Sequence, residues 1–228
     1  MFQAEMVEDL PGPAHRFLLQ AIAPGTALAG AVELAMHGEL RLAPDRDPTP
    51  FVAEQTLMPP ETFVWRARTR GSLIRIRGFD RYEAGKGEMR WRLWGLIPVV
   101  RATGPDVTRS AAGRLAMEAV LVPSTLVPGR GATWEAVDED RSRFRMEVGD
   151  EVVETTLEVD RDGRPVRAMA MRWSERAGPG YEPFVVEMSG ELRADGYTIP
   201  SRVSAGWSLG SEEEFRFFEA TLDRASFR

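Results

Sequence analysis

Few residues in this chain of 228 could do chemistry. Cysteine is absent, which removes a thiol nucleophile, a disulfide framework and any thiolate-held metal. The two histidines are His15, in what reads as the first turn of a helix, and His37, which shares a strand face with Glu39 in "AMHGEL". A single His/Glu pair falls short of a metal-ligand set, so no metal and no cofactor are expected. No H-E-x-x-H, G-x-S-x-G or phosphate-loop string occurs. "DRDG" at 160–163 begins like a calcium loop, but Arg164 and Arg172 stand where ligands belong and the closing Glu is missing. It reads as a hairpin turn.

Glu118 is the acid of interest. It lies at the edge of an apolar helical stripe, three residues after Leu115 and four before Val122. If that helix covers the concave side of a sheet, an ionised Glu118 needs an arginine partner or shifts toward protonation. The plainer role is an edge position in water, or pairing with Arg114 one turn away. Arginine is the other reactive population, since Lys86 is the lone lysine among 29 basic residues. Residues 63–94 hold nine basic and three acidic side chains, a local +6 in a chain of net charge −6.

The elements that must position these groups follow from patterning. Residues 13–23 place Leu18, Leu19 and Ile22 on one side of a short helix that Pro24-Gly25 stops. From 30 to 100 the chain alternates in short runs divided by turns, and from 131 to 228 it does so again. Between them residues 109–122 repeat Leu115, Ala119 and Val122 at helical spacing before Pro123 breaks the run. The expectation is one domain over 1–228, mainly β (α+β). It is a half-barrel-like, curved antiparallel meander of about ten strands, with two helices covering the concave face.

Register can be read in two places. A turn at Gly149-Asp150 sets Arg145 opposite Glu154, Arg141 opposite Glu158, Phe144 opposite Thr155 and Met146 opposite Val153. A turn at Asp162-Gly163 sets Glu158 opposite Arg167 and Val159 opposite Val166. A turn at Gly71-Ser72 gathers Phe63, Trp65, Ala67, Ile74, Ile76, Met89, Trp91 and Leu93 on one face. Arg66, Arg68, Arg75, Arg77, Arg90 and Arg92 share the other, with Arg68 opposite Arg75 and Arg66 opposite Arg77. The arginines are either a solvated outer face or a surface for anions and acidic partners. The tryptophan face is either a filled core or an apolar pocket.

A set of strings, in order, resembles an uncharacterised bacterial domain-of-unknown-function family. They are Phe63-Val64-Trp65-x-Ala67, Gly85-x-Gly87-x-Met89, the helix with Glu118 and Pro123, Trp134-Glu135 and the "VDRDGRPV" hairpin, within roughly residues 10–175. The resemblance carries over no catalytic residue. At the level of architecture, a long meander with a helix inserted midway resembles the LolA/LolB-type lipoprotein-carrier fold. There a curved, incomplete barrel holds acyl chains beneath helical lids.

The functional expectation is non-enzymatic binding of a hydrophobic or amphipathic, lipid-like ligand between sheet and helices. Trp65, Ile76, Met89, Trp91, Leu115, Glu118 and Val122 are its expected wall, with Glu118 or a nearby arginine orienting the polar end. The alternatives are an enzyme using Glu118 as acid/base with Arg, Tyr82 or Tyr181 in reach, and an interaction module or homodimer using the arginine face. The acidic balance argues against nucleic acid. No apolar run approaches the ~20 residues of a membrane span. With acidic residues where a leader would be basic, the chain reads as cytoplasmic, or periplasmic if a leader has been removed.

Overall fold

Two antiparallel meanders meet at the middle of one sheet in this computed structural model, which describes residues 1–70, 75–176, 178–212 and 214–228. The first comprises β1 (Val32–Leu40), β2 (Thr49–Met58), β3 (Thr62–Thr69), β4 (Ile76–Glu83), β5 (Lys86–Leu93) and β6 (Ile97–Thr103). The second comprises β7 (Ala132–Ala136), β8 (Arg141–Val148), β9 (Glu151–Val159), β10 (Pro165–Ser174), β11 (Gly180–Ser189), β14 (Arg202–Trp207) and β15 (Phe215–Phe227). Two short strands, β12 (Leu192–Ala194) and β13 (Tyr197–Ile199), form a separate hairpin. The sheet order is β6-β5-β4-β3-β2-β1-β15-β14-β11-β10-β9-β8-β7. Thirteen strands, not ten, therefore make the sheet, because short runs such as 97–103 carry no alternation to mark them.

The meander is also not continuous, since β1 pairs with β15. The first and last long strands sit side by side, and the edges, β6 and β7, are sequence neighbours. The link between those edges crosses the concave side. It consists of α2 (Pro105–Glu118) and two 3-10 turns, Ala119–Leu121 and Pro123–Leu126. The helix thus starts earlier than expected, with Pro105 at its favoured first position. It also ends sooner, because tighter 3-10 turns take over before Pro123.

α2 touches β4, β5 and β6 on one arm of the sheet and β8, β9 and β10 on the other. These strands lie at opposite ends of the order, so the sheet must curl around the helix to bring both within reach. Two glycines set the approach. A Cβ on Gly87 of β5 would fall 2.5 Å from the Val107 carbonyl oxygen, and one on Gly113 of α2 would meet Arg172 of β10 at 3.1 Å. The Gly87 amide also donates to Thr108 Oγ1 at 3.0 Å. α1 (Gly12–Ala21) instead covers β7, β8, β9 and β13. Its buried stripe is Ala14, Phe17, Leu18 and Ala21, so Leu19 faces outward rather than joining Leu18.

The second-meander register follows expectation at Arg145–Glu154, Arg141–Glu158, Phe144–Thr155 and Met146–Val153. Glu158 pairs with Arg167, but Val159 meets Pro165 instead of Val166, across a bulge. At the arginine strands the faces are as read but the partners shift. Arg68 lies opposite Arg77, and Arg66 opposite Phe79. Arg75 precedes β4, so the link is longer than a two-residue turn; Gly71, Ser72 and Ile74 lie outside the described residues.

Candidate functional site

Alternation carries charged residues inward at two places where an apolar face surrounds them. On β4 the inward positions are Ile76, Gly78, Asp80 and Tyr82, because Trp65 lies opposite Asp80 and Phe63 opposite Tyr82. On β10 they are Ala168, Ala170, Arg172 and Ser174, all buried. With α2 laid between these strands, Asp80, Arg114, Glu118 and Arg172 converge on one cavity of about 410 Å³. Its walls are otherwise mostly apolar, from Met36 of β1, Phe63 and Trp65 of β3 and Met89 of β5 to Phe184 and Met188 of β11 and Phe217 and Phe218 of β15, with Arg81, Glu88, Asp106 and Glu175 also bordering it.

Three of the four charges satisfy one another. Arg114 Nε donates to Glu118 Oε1 at 2.7 Å, and its Nη1 approaches Asp80 Oδ2 at 3.4 Å. The same guanidinium stands 4.6 Å from the Phe63 ring centroid and 5.4 Å from that of Trp65. Gln55 Nε2 donates to the other Glu118 oxygen at 2.5 Å, and Trp91 Nε1 donates to Asp80 Oδ1 at 2.9 Å. Burial pushes the Asp80 carboxyl above its usual range; Arg114 and the Trp91 hydrogen bond oppose that push without cancelling it.

Arg172 is different. It is 8% exposed, and no carboxylate lies within ion-pair distance of it among the described residues. Its Nη2 donates to the Ser110 carbonyl at 3.0 Å, and its guanidinium carbon stands 4.2 Å from the Phe184 ring centroid. Nε is buried with no acceptor. Burial above all, then the charge of Arg114, push its pKa down to about 9, so it stays cationic at neutral pH. The site therefore presents a closed Arg114–Glu118–Asp80 group and, within reach of its charges, a desolvated cation with no carboxylate in ion-pair contact. Such an arrangement suits an anionic group at the end of an apolar body.

Of the expected wall, Trp65, Met89 and Glu118 line the cavity. Trp91 stands behind Asp80 and packs on Trp65 at 5.6 Å between ring centroids. Leu115 and Val122 are fully buried in the core and do not reach the cavity; Ile76, the first residue of β4, lies beyond it. Leu115 misses it because Arg114 and Glu118 hold the face of α2 that turns to the sheet. Tyr82 and Tyr181 are away from Glu118, Tyr181 Oη donating to Glu151 at 2.8 Å. Asp80, Arg172 and Gln55 were missed, while the Arg114–Glu118 pairing offered as the plainer role is present. Asp80 shares parity with Ile76 and Tyr82, and Arg172 with Ala168 and Ala170, so an inward charge was legible at both.

On the convex face Arg90 pairs with Glu88 at 2.7 Å. Arg66 lies opposite Glu54. Arg66, Arg68, Arg75, Arg77 and Arg92 have no ion-pair partner within 4.0 Å among the described residues. His37 Nδ1 contacts Asp223 at 2.9 Å, not Glu39. No cluster of three or more metal-ligating groups occurs among the described residues.

The model for the family of unknown function DUF6544 matches residues 1–220. The chain belongs to this family. Among solved structures it is similar to a LolA superfamily protein from Nitrosomonas europaea, at 10% identity and a TM-score of 0.50, over 95% of this chain and 92% of that one. It is also similar to a DUF1329 family protein from Desulfovibrio piger, at 10% identity and a TM-score of 0.47, over 87% and 86% of the two chains. No curated protein matches it significantly. At this identity the Nitrosomonas likeness concerns fold, a LolA-like curved antiparallel sheet with helices on its concave side. No helix among the described residues is long and apolar enough to cross a membrane.

Proposed function

We propose that this DUF6544 chain binds an amphipathic, lipid-like ligand without transforming it, in the cavity between α2 and the concave sheet. The hydrocarbon lies against Trp65, Met89, Met188 and Phe218, and an anionic end pairs with Arg172. The observation that carries this reading is a buried guanidinium with no carboxylate of its own, facing about 410 Å³ of mostly apolar space. A volume of that size falls within the range of small-molecule sites. An anion on Arg172 supplies the partner that a desolvated charge otherwise lacks.

In this reading Glu118 holds Arg114 and Gln55 in place at the cavity wall. Both its oxygens accept hydrogen bonds from those two groups, which favours a standing carboxylate over an acid/base that cycles its proton. The test is native mass spectrometry with solvent extraction of the purified protein, followed by titration with a long-chain fluorescent fatty acid. Saturable uptake, or an amphiphile that leaves with the protein, is expected. A folded protein that takes up neither the fatty acid nor a panel of other amphiphiles overturns the reading.

A further inference from the structure

The β5–β6 hairpin ends in a tip that neither the cavity nor the core accounts for. Trp94, Leu96 and Ile97 are more than half exposed and Val99 nearly so, while their neighbours along the chain are Arg92 and Arg101. From Met89 to Pro105 the chain has no acidic residue. Arg92 and Arg101 have no ion-pair partner among the described residues, and Arg77 packs beneath the turn at Gly95. Arg75 joins them, its carbonyl accepting from the Trp94 amide at 2.6 Å.

The turn itself is unusual for its sequence. Leu96 N–H donates to the Leu93 carbonyl, and the two central residues, Trp94 and Gly95, have φ of 50° and 75°. That is a hairpin turn in which Asn-Gly is the relaxed choice and a bulky residue at the first position is strained. A large aromatic held in a left-handed conformation, and more than half exposed, suggests a role outside the folded core.

The inner face of the same hairpin leads back to the cavity. Leu93 lies opposite Ile97, Trp91 opposite Val100, and Met89 opposite Ala102. Met89 and Ala102 are cavity wall. An apolar track thus runs from the exposed tip to the interior. Its outer edge is poorly suited to strand addition, because Pro98 and a bulge interrupt β6.

We infer that this hairpin docks on an anionic lipid surface, with Trp94, Leu96 and Val99 in the interface and Arg75, Arg77, Arg92 and Arg101 on phosphate groups. A tryptophan at headgroup depth beside arginines suits such an interface. The bilayer is favoured over an acidic protein because the exposed side chains of the tip, Trp94, Leu96, Ile97 and Val99, are indole and aliphatic groups that an acidic surface would not satisfy. The docking does not depend on what the cavity holds.

The test is co-sedimentation with vesicles of equal parts phosphatidylglycerol and phosphatidylcholine, compared with phosphatidylcholine alone, alongside fatty-acid uptake in free solution. Binding to the anionic vesicles is expected. Trp94→Asn with Leu96→Ser should weaken it by about tenfold or more. Arg92→Gln with Arg101→Gln should weaken it on the order of twentyfold, given about fivefold for each basic residue at such a surface.

Vesicle binding that neither variant moves overturns the inference. So does a wild-type chain that ignores the vesicles but binds polyglutamate, or one that forms a dimer abolished by the tip variant. If vesicle binding fails while uptake in free solution persists, the docking falls and the cavity reading stands. If uptake fails while vesicle binding persists, the cavity reading falls and the docking stands.

Discussion

Arg172→Met separates the two things this guanidinium is expected to do, burden the fold and hold a ligand. Holding it charged at pH 7 costs about 5 kcal/mol, from a pKa pushed down to about 9 and about 1.4 kcal/mol per decade of proton affinity. Against that stand its charged hydrogen bond to the Ser110 carbonyl, worth about 2 kcal/mol, and its position over Phe184, worth about 2 more when desolvated. A methionine of similar length keeps the packing and removes all three contributions. The ligand-free variant should therefore be about 1 kcal/mol more stable, with a thermal midpoint about 2–4 °C higher. Urea unfolding at neutral pH measures the first quantity. Displacement titrations with a long-chain fatty acid and the matching alcohol measure the second. Affinity for the acid should fall by about 3 kcal/mol, more than a hundredfold, while that for the alcohol changes little. A variant that is less stable by ~2 kcal/mol or more, and loses acid and alcohol equally, would show Arg172 to be a structural post and refute the reasoning.

Three further outcomes are expected. Because the folded pKa of Asp80 lies above 3.8, the unfolded chain ionises first as pH rises, so this carboxyl's contribution to native stability falls from about pH 4 up to the folded value and then levels. Urea unfolding of Asp80→Asn across that window should lack the descending limb, and parallel profiles for variant and wild type would exclude it. Gly87→Ala puts a methyl group onto the α2 backbone and should cost about 1–3 kcal/mol, also read by urea; a loss below about 0.5 kcal/mol would mean that α2 does not seat where described. Val203→Phe adds bulk to the cavity wall and should cut fatty-acid uptake by on the order of tenfold while keeping or raising stability by up to ~2 kcal/mol; undiminished uptake would place the ligand elsewhere.

Much of the fold was legible locally. Alternation alone placed Trp65, Met89 and Trp91 on one face and the arginines on the other, since period-two patterning is a property of a strand whatever it pairs with. The Gly149-Asp150 turn set the β8–β9 register for the same reason. Where the turn carried a bulge, as at Pro165, or lay in a longer link, as before Arg75, the count of residues between strands no longer fixed the partner, and register slid while faces did not.

Composition and pattern by themselves determined a mainly antiparallel β chain with one helix inserted midway, two-faced strands, and the absence of any cysteine. Tertiary structure alone decided that β1 meets β15, which makes β6 and β7 the edges and sends α2 across the concave side. That pairing joins residues almost two hundred positions apart, and nothing in either strand's alternation names its partner. It also decided the site. Asp80 and Arg172 are separated by more than ninety residues and become neighbours of Arg114 and Glu118 only because the sheet curls around one helix. A charge at an inward position can be read from a strand, but whether another charge answers it depends on which strand the curvature brings opposite.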